Sequence, residues 1–103
     1  MKKPKRRYRL VSPKTFQDGV DLVLNDLRQV LLKKQADYGY QNITDFGEYG
    51  CLVRANDKIS RLKNLGKKVA PNFESIEDSW VDLANYAIIA LMLRRKVFEL
   101  PLK

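Results

Sequence analysis

Residues 74–93 read ESIEDSWVDLANYAIIALML, and from Trp80 to Leu93 only Asp82 and Asn85 are strongly polar. That density of apolar side chains describes a largely buried helix. Laid out at about 100° per residue, the stretch carries two lines on roughly opposite sides. Ile76, Trp80, Leu83, Ala84, Ala87, Ile88 and Leu91 form a broad apolar line. Asp78, Asp82, Asn85, Ile89 and Met92 form the other, which starts with carboxylates and ends apolar. A line facing water would stay polar throughout. This one predicts that Asp78, Asp82 and Asn85 face a cleft or an interface whose deeper part is dry. Ser75 is placed to cap the helix, with Asp78 at the capping-box position, and the helix is expected to continue to about Val97.

Two more helices precede it. Phe16, Val20, Val23, Leu24, Leu27, Val30 and Leu31 recur at helical spacing and make one apolar face. Thr15 is a good N-cap, Asp18 suits the first turn, and Gly39 is a plausible stop, so this helix is expected over 15–37. Tyr38 to Gly50, with three glycines and four aromatics, reads as a loop holding at most a short helical turn at Thr44 or Asp45. The second helix is expected from Cys51 to Gly66, with Leu52, Ala55, Ile59 and Leu62 as its apolar stripe. A connector containing Pro71 follows, and ELPLK (99–103) reads as a tail. No heptad repeat or β alternation is present. The expected fold is all-α: a small bundle of three main helices, completed by oligomerisation. Residues 1–11 form a basic arm and 12–103 one helical domain.

Composition bounds the chemistry. The 103 residues, 45% hydrophobic and 31% charged, are those of an ordinary globular chain. The lone Cys51 excludes an internal disulfide and suits a reducing, cytoplasmic setting. There is no histidine, so a metal site would rest on oxygen ligands, which points to magnesium or manganese rather than zinc. The apolar run Tyr86–Leu93 is too short to span a membrane, and no apolar segment follows the basic N-terminus as in a signal peptide. Of the net charge of +8, six units come from Lys2, Lys3, Lys5, Arg6, Arg7 and Arg9. Residues 1–9 thus offer a nucleic-acid contact, against the ordinary reading of a solvated terminus.

Arg54, Asp57, Lys58 and Arg61 share a polar flank of the second helix. One reading is an interhelical salt-bridge network with Asp78 and Asp82. The other has Asp57, Asp78 and Asp82 holding a cation while Lys58 and Arg61 hold phosphate oxygens. Asp37 sits in the last turn of the first helix, where the dipole disfavours an anion, so another group is expected to hold it.

Taken in order, KKQADYG (33–39), FGEYGCLVRANDKISRLKNL (46–65) and ESIEDSWVDLANYAIIALM (74–92) resemble the nucleotide modification associated domain 1 family, found widely in phage and bacteria. The matching residues are Lys34, Asp37, Tyr38 and Gly39; Arg54, Asp57, Lys58 and Arg61; and Glu77, Asp78, Asp82, Asn85 and Tyr86. The family is named for its genomic association with enzymes of modified nucleotides. A more distant similarity is to the all-α nucleoside triphosphate pyrophosphatases of the MazG and dimeric dUTPase group. These hold magnesium through E-x-x-E and E-x-x-D motifs on neighbouring helices. The chain departs from them, with Asp57 alone on the second helix and Asp82-x-x-Asn85 on the third.

Two function classes follow. In the first, a magnesium-dependent nucleotide hydrolase or nucleotide-modification accessory protein, Asp57, Asp78 and Asp82 carry the metal. Lys34, Arg54, Lys58 and Arg61 grip phosphates, and Asp37, Tyr38, Tyr40 and Asn85 contact the nucleotide. In the second, a phage-type protein sequesters a nucleotide, for example a signalling nucleotide of host defence, without turnover. A DNA-associated protein using the basic arm is a third reading. Trp80 and Tyr86 are expected in the core or an interface, and Cys51 as a small buried hydrophobe rather than a nucleophile. The third helix is apolar over most of its surface, more than two short partners can cover, so a homo-oligomer is expected.

Overall fold

The computed structural model describes residues 12–68 and 73–103. The basic arm and most of the Pro71 connector lie outside the described residues. The protein is all-α, and its described residues form three long helices and one short: α1 (Phe16–Tyr38), α2 (Gln41–Thr44), α3 (Gly47–Gly66) and α4 (Phe73–Arg94). No strand occurs among the described residues. The chain separates into two compact units, one ending at Asp37 and the other running from Tyr38 to Lys103.

In the first unit α1 begins where the sequence places it. The Asp18 amide donates to Thr15 Oγ1 at 3.0 Å, and the Lys14 amide donates to Asp18 Oδ2 at 3.1 Å. Two amides that the helix cannot satisfy are thereby bonded by side chains, as in a capping box. The helix ends at Tyr38 because Gly39 turns left-handed, φ 72°. The expected apolar face is buried only at Leu27; Phe16, Val20, Val23 and Leu24 are exposed.

The second unit is built on α3 and α4, which pack along each other, with α2 against α3. Helix α3 starts at Gly47, four residues before the expected Cys51. The glycines that suggested a loop have other roles. Gly47 takes φ 65° between α2 and α3, a conformation costly for any side chain. Gly50 lies inside α3, where a Cβ would run into the Phe46 side chain. The short turn also comes earlier than Thr44, as α2 from Gln41.

Helix α4 starts at Phe73 and ends at Arg94, so Ser75 lies within its first turns rather than capping it. The end is a Schellman arrangement. The Val97 amide donates to the Met92 carbonyl at 3.0 Å and the Lys96 amide to the Leu93 carbonyl at 3.1 Å. The left-handed position is Lys96, φ 58°, where glycine is usual. Phe98, just after this end, is among the most buried side chains.

The second line of α4 turns inward along its deeper part, as expected, while the broad apolar line is partly turned outward. Ser79, Asn85 and Ile89 are buried, whereas Trp80 is 58% and Leu91 50% exposed. Small polar residues suit a close helix–helix contact when bonded. Ser79 Oγ donates to the Ser75 carbonyl at 2.8 Å, within its own helix. Cys51 and Leu65 are the buried residues of α3.

Candidate phosphate-binding site on the polar flank of α3 and α4

The line between α3 and α4 divides the second unit into two flanks. On α3, Arg54, Lys58 and Arg61 follow at intervals of four and three and so share one face. Leu52, Ala55 and Ile59 lie toward the other side. On α4, Asp78, Asp82 and Asn85 belong to the first flank and Trp80, Ala84, Ala87 and Leu91 to the second.

An ion pair joins the two helices on the polar flank. Lys58 Nζ lies 3.1 Å from Asp82 Oδ2, and the two side chains are only 29% and 23% exposed. The lysine stem lies along the helix contact and its ammonium meets the acid of the next helix, which orients both groups before any ligand arrives. Half-buried Arg54 is one turn earlier, with its guanidinium carbon 5.9 Å from the Phe46 ring centre, at the outer limit of cation–π contact. Arg61 is one turn later and exposed. Asn85, one turn beyond Asp82 on α4, is buried. Phe46 and Glu48 are contributors that the sequence reading did not single out. Phe46, Gly50 and Arg54 stand four residues apart, a spacing that signals one shared face once α3 is extended back to Gly47. Glu48 receives the Arg94 Nε–H at 3.0 and 3.1 Å and fastens the start of α3 to the end of α4.

The expected metal trio is not assembled. Asp57 and Asp78 are exposed and Asp82 is engaged by Lys58. Among the described residues no three acidic or cysteine side chains come together as a group that could hold a metal ion. On this flank Lys58 of α3 meets Asp82 of α4. The residues present do not fit a magnesium ion held by that trio.

The remaining expected residues lie elsewhere. Asp37, in the first unit, is held by Lys33, with Nζ 3.3 Å from its Oδ2. This exposed pair accounts for an anion at a helix C-terminus. Lys34 is exposed in the same unit. Tyr38 and Tyr40 open the second unit with exposed rings. Cys51 is buried, and burial pushes its thiol up from the usual range; Arg54 opposes this and Glu48 adds to it. A raised thiol is a poor nucleophile, as expected for a packed cysteine. The second flank carries a groove of about 740 Å³, lined chiefly by Tyr49, Leu52, Ala55, Trp80, Leu83 and Ala87. None of the expected phosphate or metal residues borders it.

The family model for nucleotide modification associated domain 1 matches residues 34–93, more than half of the chain. The chain belongs to the nucleotide modification associated domain 1 family. The match covers Lys34, the Tyr38–Tyr40 turn, all of α3 and nearly all of α4, so the polar flank falls wholly inside this family's domain. No curated protein and no solved structure matches the chain. No described helix is long and apolar enough to cross a membrane.

Proposed function

We propose that the polar flank of α3 and α4 binds the phosphate groups of a nucleotide and acts by holding it rather than hydrolysing it. The observation that carries this reading is the sheltered Lys58–Asp82 pair, set in the middle of the Arg54, Lys58, Arg61 row. An incoming phosphate brings several anionic oxygens against the single carboxylate of Asp82. It competes for the Lys58 ammonium, while Arg61 and Arg54 offer planar, multi-donor contacts above and below. Asp82, displaced from its lysine, then accepts hydrogen bonds from sugar hydroxyls or base N–H groups. Tyr38 and Tyr40 offer exposed rings for base stacking. The family description agrees with a nucleotide ligand. Lys34 and Asp37 lie in the first unit and are outside this reading.

Incubation with a panel of nucleotides, with and without magnesium, tests it through phosphate and pyrophosphate release. Retention of the nucleotide without release in either condition is expected. Magnesium-dependent release would make the protein a hydrolase and overturn the reading. Deleting residues 1–9 separates the DNA-binding alternative. Nucleotide retention should survive the deletion, whereas a protein that works through its arm would lose its DNA affinity.

A further inference from the structure

An exposed aromatic ring stands at the head of the cationic row. Phe46 directly precedes α3 and is 61% exposed. The Gly50 amide donates to the Phe46 carbonyl at 3.2 Å, so Gly50 lies one helical turn further on. A Cβ on Gly50 would run into Cβ and Cγ of Phe46, so the Phe46 side chain lies where a Gly50 side chain would stand. From there it reaches Arg54, whose guanidinium carbon is 5.9 Å from the ring centre. Gly50, Arg54, Lys58 and Arg61 keep within about 80° of one another around α3. The glycine notch, the ring and the three cations therefore share one side of the helix. Glycine weakens a helix interior, and here it makes the room for an aromatic ring beside cations.

We infer that Phe46 is the base platform of the phosphate site, and that the ligand is a nucleoside di- or triphosphate laid along α3. The inference rests on the phosphate reading of the flank and adds the other end of the ligand. Every base has a π face, and an exposed ring in line with cations holds bases by stacking alone. Phe46 has no polar atom to read a base edge, so the platform takes any base. The Arg54 guanidinium, planar and weakly hydrated, stands beside the ring, where it flanks a stacked base. Distance along the helix sets the length of the ligand. At 1.5 Å per residue, Arg54 lies about 6 Å beyond the level of Gly50, Lys58 about 12 Å and Arg61 about 16 Å. A monophosphate, with one sugar between base and phosphate, brings its charge only as far as Arg54. Two or three phosphates carry charge on to Lys58 and Arg61, whose long stems take up the remaining gap. Tyr38 and Tyr40 also present exposed rings, but they precede α2, whereas Phe46 lies on the side of α3 that carries the cations.

Calorimetric titration of the full chain, with a metal chelator present, tests this with nucleoside triphosphates, the matching monophosphates and inorganic triphosphate. The wild type should bind nucleoside triphosphates roughly tenfold or more tightly than monophosphates, the effect of adding contacts to charged groups. Phe46→Leu should weaken nucleoside triphosphates roughly fivefold to a hundredfold, the range for losing one base stack. The same variant should bind inorganic triphosphate as the wild type does. Phe46→Tyr keeps the ring and should keep nucleotide affinity. Lys58→Met should weaken nucleoside triphosphates and inorganic triphosphate together. The Phe46 ring is exposed, so its loss removes little packing, and circular dichroism reports that each variant keeps its helix content. The inference is overturned if Phe46→Leu weakens nucleoside and inorganic triphosphate alike, which marks a structural role, or weakens neither. Monophosphates bound as tightly as triphosphates would also overturn it. Failure of the phosphate reading looks different: no triphosphate binds, or Lys58→Met changes nothing, and this inference falls with it.

Discussion

Replacing Lys58 by methionine keeps the aliphatic stem in the α3–α4 contact and removes the ammonium that lies 3.1 Å from Asp82. The raw attraction at that separation is about 5 kcal/mol for an effective dielectric constant near 20, and desolvation offsets most of it. Exposed pairs contribute about 0.2–1 kcal/mol, and breaking a fully buried pair costs about 3–5 kcal/mol. With both side chains about three-quarters covered, Lys58→Met should cost about 1–2 kcal/mol. Asp82→Asn should cost a similar amount, and the double variant less than the sum, giving a coupling of about 1 kcal/mol. Urea unfolding followed by circular dichroism measures all four proteins, with unchanged slopes confirming that the midpoints are comparable. High salt should reduce the coupling only in part, because the pair is sheltered. A coupling within about 0.3 kcal/mol of zero would refute the reasoning, since that is the additivity expected of groups that do not meet.

Other predictions follow from single positions. Lys96→Gly should stabilise the protein by about 0.5–1 kcal/mol in the same urea assay, because glycine takes the left-handed conformation without the cost a side chain incurs. Gly50→Ala, which in an ordinary helix interior would stabilise by up to about 1 kcal/mol, should instead destabilise, since the new methyl meets Phe46. Cys51 should react slowly with a disulfide reagent at neutral pH, because burial raises its folded-state pKa and keeps it a thiol. The linked stability is full below the unfolded thiol's pKa and declines as pH rises through the folded one, so urea midpoints should fall on the alkaline side.

The sequence made α1 legible nearly to the residue, because Thr15 and Gly39 are local signals that act through backbone geometry alone. The start of α3 was hidden because Gly47 and Gly50 look alike in sequence. One sets a left-handed turn, and the other makes room for Phe46 four residues earlier. The end of α4 was hidden because a lysine, not a glycine, occupies the left-handed position. The two lines on α4 were correctly separated, and the line ending apolar was rightly placed against a dry interior at Asn85 and Ile89; periodicity could not say that Trp80 of the other line would stay exposed. Close approach favoured Ser79, Asn85 and Ile89, and left the bulkier Trp80 outside. For the site, shared spacing identified Arg54, Lys58 and Arg61 as one row. The interhelical pairing of an α3 cation with Asp82 was one of the two readings the spacing allowed, and Lys58 makes it; which of the three cations would reach the acid depended on how the two helices pack.

Calorimetric titration of nucleotides into the wild type, Lys58→Met and Arg61→Met, each with a metal chelator present, tests the central claim most directly. The account predicts that at least one nucleotide binds the wild type without metal. Each substitution should weaken that binding roughly tenfold to hundredfold, the effect of losing a hydrogen bond to a charged group worth about 1.5–3 kcal/mol. Absence of binding across the panel, or affinity unchanged in both variants, would contradict it.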